Sequence, residues 1–174
     1  VVIDSLRMRR VLGRYPTGVV VIAAMSDGEP YGFTVNSFTS VSLDPPIVAF
    51  CAAHTSTTWP RIRAAGGFTI SLLSVEQEAV CRSFSTKGAD RFSGIGWSTK
   101  ESGHLAIDGA LAWFDCVLET SQPVGDHELI LARVISLAAD DDDNGEPLVF
   151  HRGRLHRVCA DALASPCGTL QTVS

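Results

Sequence analysis

Seven runs suited to β-strands recur along the chain, each closed off by Gly, Pro, Asn, Asp or Ser. They cover residues 19–24 (VVVIAA), 31–38, 46–51, 68–74, 111–120, 127–138 and 147–152, and RLHRV at 154–158 offers an eighth. Helical patterning is sparse beside them. Residues 4–15 place Met8, Val11, Leu12 and Tyr15 at i, i+3, i+4 and i+7 behind Asp4 or Ser5 as cap. In STTWPRIRAAGG, Ser56 or Thr57 can cap, Pro60 suits a first turn, and Gly66-Gly67 ends the helix. VEQEAVCRSF reads as a third, short helix with Ala79, Val80 and Phe84 on one side, and residues 85–109 read as irregular. Helices that do not alternate with strands exclude a doubly wound parallel sheet. The expectation is a mainly β, mostly antiparallel closed barrel with short helices packed outside.

A chain of 174 residues suits one domain, expected at 1–158, with a small, polar and flexible tail at 159–174. The longest apolar run, residues 19–25, is far short of the roughly 20 residues of a membrane helix, and no secretory segment is legible. A net charge of -5 argues against a nucleic-acid surface. Five cysteines, odd in number and without a CxxC pair, favour a reduced, cytoplasmic protein. The acidic DDDDNGEP lacks calcium-loop spacing and reads as a solvated loop.

Three stretches could carry a ligand. In YGFTVNSFTSVSLDPP, Ser and Thr hydroxyls and Asn36 are punctuated by apolar residues, a pattern that suits either a flat, polar-edged ligand or a plain exposed sheet face. HTSTTWP sets four consecutive hydroxyl residues, Thr55 to Thr58, before a helix start, where capping accounts for one and an anion could use the others. STKGADRF brings Lys87 and Arg91 into one polar loop, a phosphate partner or a solvated surface. A fourth question is His127, which stands after a Gly-Asp turn at the start of a strand whose Leu129, Leu131 and Val134–Ile135 pair suit a core. Other signals fail on their own chemistry: Cys51 and His54 lack a second pair for zinc, GIG lacks a dinucleotide fingerprint, and no GxSxG elbow supports acyl transfer.

Taken in order, GVVVIAA, GFTVNSFTSVSLDPPIVAFC, STTWPRI, FTISLLS, KGADRFSG, GHLAIDGALAWFDC, GDHELILARV and PLVFHRGR closely resemble the short-chain flavin reductases, the NAD(P)H:flavin oxidoreductase components of two-component flavin-dependent monooxygenases. The resemblance spans about residues 8–158. It implies a homodimer of six-stranded antiparallel split barrels, flavin (FAD or FMN) near the dimer interface, and NADH, rather than NADPH, stacking on its ring. Carried over by motif, Thr34, Val35, Asn36, Ser37 and Ser40 would line the isoalloxazine and ribityl chain, and Cys51 and Ala52 would flank the ring. Ser56 and Thr57 would meet the ribityl-phosphate end, with Lys87 and Arg91 near the phosphate. His127, and more weakly Arg152, would meet the nicotinamide side, while His151 stands where the family commonly has an aromatic residue. Hydride would pass from nicotinamide C4 to flavin N5 without a protein nucleophile or acid–base residue, and reduced flavin would leave for a partner monooxygenase. The rival readings are a split barrel that keeps its flavin and serves another acceptor, and a non-catalytic flavin carrier.

Overall fold

The run VVVIAA lacks alternation because both of its faces are covered. In β2 (Val20–Ser26), Val20, Ile22 and Ala24 enter one core, while Val21 and Ala23, with the preceding Val19, enter another. The structure is a computed structural model that describes residues 3–86, 88, 90–139 and 145–158. The acidic run at 140–143, Lys87 and the expected tail at 159–174 lie outside the described residues.

Seven strands form one antiparallel sheet in the order β3 (Glu29–Val35), β2, β6 (Gly67–Leu72), β9 (Ala112–Val124), β10 (His127–Ala139), β5 (Pro46–Ala53) and β4 (Thr39–Leu43). Laid flat, the outer strands β3 and β4 would stand about 29 Å apart, yet the chain passes between them with a reach of about 14 Å. The sheet therefore curls until its edges face each other across a seam that residues 36–38 bridge. This curled sheet is compatible with the expected split barrel. Six strands are six residues or longer, and five-residue β4 is an added edge that alternation alone did not reveal.

Phe50, Phe68 and Trp59 meet edge to face inside the curl, with ring centroids 5.4 to 5.8 Å apart. Trp59 and Ile62 reach this core from α2 (Trp59–Ala64). The cap of α2 is Thr58, without a side-chain capping bond, rather than Ser56 or Thr57; Ser56 Oγ instead accepts from Trp59 N at 3.1 Å, one step inside the helix. In the second core, α3 (Glu78–Ser85), which follows a 3-10 turn at Val75–Gln77, buries Cys81 and Phe84, while Val80 is half-buried and Ala79 exposed. Its apolar face is thus rotated from the expected one. A Cβ at Gly32 would lie 2.5 Å from Phe84 Cε1, so the missing side chain lets α3 pack on β3.

The stretch expected to be irregular contains a hairpin of β7 (Trp97–Thr99) and β8 (Leu105–Ile107), whose Leu105 and Ile107 join the second core. There β11 (Leu148–His151) pairs with β12 (Arg154–Arg157) and with β1 (Thr17–Gly18). In β10 the inward residues are Ile130, Ala132 and Val134; Leu129 and Leu131 are half-buried on the other side, and Ile135 is exposed. Apolar residues occupy both faces of this strand, so alternation could not choose its phase.

Asp4 caps α1 (Ser5–Leu12), its carboxylate accepting from Leu6 N and Arg7 N. The stripe of Met8, Val11, Leu12 and Tyr15 is exposed. Among the described residues no helix is long and apolar enough to cross a membrane.

Candidate functional site

Between the last rung of β3, at Val35, and the first rung of β4, at Thr39, residues 36–38 pair with no strand. Among the described residues none of their backbone N–H or C=O groups bonds to other backbone. Backbone this poorly paired needs a partner from water or a ligand. At Asn36 and Ser37 it faces a cleft of about 280 Å³, while Phe38 packs against the core. Thr34, Val35, Asn36 and Ser37 form one lip, Cys51 and Ala52 the other, and Ser56 and His127 stand at one end. Phe33 and Ala53 add apolar wall that sequence patterning did not single out.

Some of the hydroxyls are already engaged. Ser37 Oγ accepts from Cys51 N at 2.9 Å, extending the β4–β5 pairing beyond its last rung, and Thr34 Oγ1 lies 2.8 Å from Ser85 Oγ. Asn36 keeps its amide, without a side-chain partner among the described residues. His127 begins β10 opposite Ala53, which brings it to the end of β5 beside the cleft. Its Nδ1 lies 2.7 Å from Asp126 Oδ1, and the hydrogen bond from His127, with its charge, holds the Asp126 carboxyl below the usual carboxylate range. Asp126 O also accepts from His54 N at 3.0 Å, fastening the Gly-Asp turn to the end of β5.

Glu128 lies behind this end, accepting from Trp59 Nε1 at 2.7 Å and Arg63 Nη1 at 2.9 Å. Burial pushes its carboxyl up, but the bonds from Ser121 and Trp59 and the Arg63 charge outweigh that and leave it lowered. The start of α2 is thereby tied to the cleft-bearing end of β10.

Thr57 and Arg91 meet in a second cleft of about 300 Å³. Arg91 is committed to the protein: Nη1 donates to Gly32 O and to Thr58 Oγ1, both at 2.7 Å, and Nε donates to Thr86 O. Burial lowers its pKa. It braces the loop against β3 and α2, with its remaining N–H groups left for a ligand. Ser40 sits on β4 opposite Val48, outside these clefts. Arg152 occupies the β11–β12 turn with φ 51°, and its N–H donates to Gly13 O at 2.8 Å.

A third cleft, about 880 Å³, shares the Thr34–Asn36 lip with the first and runs between α3 and the β11–β12 hairpin. Arg154, rather than Arg152, faces it. Arg82, Ser85, Thr86 and Phe150 also line it and went unnoticed in the sequence, although the i, i+4 spacing of Cys81 and Ser85 on one helix face was a usable signal. Among the described residues no group of His, Cys, Asp and Glu could hold a metal ion.

Residues 12–158 match the family described as flavin reductase like domain. A flavin reductase of Pseudomonas putida is 44% identical over 152 residues, covering 87% of this chain and 88% of that protein. The reductase subunit HsaB of a flavin-dependent monooxygenase from Rhodococcus jostii is 40% identical over 152 residues, covering 87% and 77%. Among solved structures, the NADH:FAD oxidoreductase SgcE6 of Streptomyces globisporus, in complex with NAD and FAD fragments, superposes with a TM-score of 0.84 at 36% identity, covering 91% of this chain and 95% of that one.

Proposed function

The chain belongs to the flavin reductase-like family, and from that premise we propose that it moves hydride from NADH to a flavin held on the barrel seam and supplies the reduced flavin to a flavin-dependent monooxygenase. The observation that carries the site assignment is the unladdered backbone of Asn36 and Ser37 facing Cys51 and Ala52, with His127 at the end. A flat heterocycle with polar edges fits this donor set: Val35, Ala52 and Phe33 offer apolar surface, and the backbone groups of Asn36 and Ser37 and the Asn36 amide offer edge contacts. Bound flavin supplies the two-electron acceptor, so no protein nucleophile is required.

The side chains then have positioning roles. Ser37 fixes the bridging segment to β5, Thr34 ties the β3 lip to α3, and Ser56 and Thr57 with Arg91 serve the phosphate end. His127, steadied by Asp126, meets the nicotinamide. Hydride transfer depends on holding two rings in contact, so these residues act through geometry.

A homodimer accords with the apolar surface left open, since Leu6, Val11 and Leu12 of α1, Val41 and Leu43 of β4, and Ile135 and Leu137 of β10 are all exposed. A reducing cytoplasm accords with Cys51, Cys81 and Cys116 as free thiols; burial and then Asp115 push Cys116 up to about 12.

Anaerobic mixing of the purified protein with NADH and excess FAD or FMN tests the activity. NADH loss matched by flavin bleaching over many turnovers is the expected result, and absence of turnover with either flavin sinks the reading. Sedimentation is expected to give twice the monomer mass, and a monomer would remove the dimer.

A further inference from the structure

Within ELILA, residues 128–132, Glu128 is the one charged residue. It shares a face of β10 with Ile130 and Ala132, both fully buried, and so turns its carboxylate into the end of the barrel, where 16% of the side chain is exposed. A carboxylate placed there is costly unless it is paired, and the core alone would be served by an apolar residue.

What it holds is Trp59. This residue is 3% exposed between Phe50 and Phe68, and its indole N–H needs an acceptor inside the barrel, which Glu128 Oε2 supplies at 2.7 Å. On its backbone side Trp59 N donates to Ser56 Oγ at 3.1 Å, and the preceding Thr58 takes the Arg91 guanidinium on Oγ1. Arg63, one turn further along α2, donates to the other oxygen of Glu128. One carboxylate thus fixes α2 by two of its side chains, and Ser56, Thr57 and Arg91 lie on the chain that enters α2 or are bonded to it. The same residue stands opposite Ala52, on the lip of the seam cleft.

We infer that Glu128 is a positioning residue for the flavin: through Trp59 it sets the distance between the phosphate end at Ser56, Thr57 and Arg91 and the ring end at the seam. The inference rests on the seam cleft holding the flavin. A flavin with a phosphate is gripped at both ends and depends on that distance. Riboflavin, which lacks the phosphate, does not.

FMN and riboflavin therefore supply the test. In Glu128→Ala the KM for FMN with NADH is expected to rise about tenfold, as for a lost charge-assisted contact, while the KM values for riboflavin and for NADH stay within about twofold. Trp59→Phe keeps an aromatic ring in the core and removes the N–H, and it should give the same split, with the double variant no worse than either single one. Glu128→Gln keeps an acceptor for Trp59 and loses only the charge facing the half-exposed Arg63, so its KM for FMN should stay within about threefold of wild type. A purely structural role would move all three KM values together. That result, or an FMN KM unchanged in both Glu128→Ala and Trp59→Phe, overturns the inference. Flavin fluorescence titration gives the same readout without turnover: wild type should bind FMN about tenfold more tightly than riboflavin, and Glu128→Ala should lose most of that advantage. Equal binding of FMN and riboflavin by wild type overturns the inference and leaves the reductase reading intact. Absence of turnover with either flavin in wild type removes the reductase reading instead, and the titrations then decide the role of Glu128 by themselves.

Discussion

His127 and His104 each meet an aspartate through Nδ1, one at the mouth of the seam cleft and the other on the barrel wall. The first pair joins neighbours in a turn and stands in water, with side chains 45% and 94% exposed. The second joins residues eleven apart, with His104 22% exposed and Asp115 1%. Asp115 lies on β9, opposite Thr69 of β6, and the His104 ring crosses the backbone of Gly67, where a Cβ would come within 2.1 Å of Cε1 and Nε2. Strand, hairpin and glycine have been fitted to one another there, whereas the His127 side chain stays open to solvent. The same two residue types thus serve stability in one place and are available to a ligand in the other, and burial makes the difference.

The largest effect should come from the buried pair. Asp115→Ala leaves His104 without its partner and opens space inside the wall, a loss on the order of 3 kcal/mol in urea denaturation, near the low end for breaking a buried pair because His104 keeps some water. The KM for NADH should not move. A loss under 1 kcal/mol would erase the contrast between the two pairs.

Next comes Gly67→Ala. The added methyl meets the His104 ring, and overpacking of this kind costs about 1–3 kcal/mol. The sharper measurement is a double-mutant cycle, because in a His104→Ala background the methyl has room and most of that cost should vanish. Additive losses would mean that Gly67 is there for some reason other than the ring.

His127→Ala reverses the pattern. Stability should change by no more than about 0.5 kcal/mol, as for an exposed position, while the KM for NADH rises about fivefold, the value of one hydrogen bond. The flavin KM should stay within about twofold. Equal rises for both cosubstrates would place His127 outside the nicotinamide contact.

How far the sequence foretold these regions follows the same divide. The double burial of β2 was legible because an unbroken apolar run suits a strand covered on both faces, and the Asp4 cap was legible because it is local. The seam was legible only through resemblance, since Thr34 and Val35 of β3 reach Cys51 and Ala52 by the curling of the whole sheet, whereas the Ser37–Cys51 bond only continues the local β4–β5 register. Phase in β10 was misread toward Leu129 and Leu131 because its pairing with β9 shifts register twice and both faces are apolar. His104 with Asp115 was missed altogether: it depends on a short hairpin inside a stretch without alternation, and on a glycine in a different strand. Arg154 escaped notice beside Arg152 because only the hairpin turn decides which of the two faces the cleft.

The smallest effect concerns Asp126, where the two pairs can be told apart by titration. The hydrogen bond from His127 comes first among the causes that lower its pKa, and His127's charge comes second. A carboxylate with a depressed folded-state pKa favours the folded protein above its unfolded pKa, and that benefit fades as pH falls through the folded value. Because the group is fully exposed, the slope should be slight: the melting temperature of wild type relative to Asp126→Asn should decline only between the ordinary carboxylate pKa and the lowered one. Carbon-detected NMR reads the site directly, and the Asp126 carboxyl should titrate below the usual range in wild type and move back toward it in His127→Ala. A carboxyl that titrates identically in both proteins would mean that the ring is not held by Asp126 in solution. His127 would then meet the nicotinamide from an unsteadied position, and Asp126→Ala should leave the KM for NADH unchanged rather than raise it by a fraction of the His127→Ala effect.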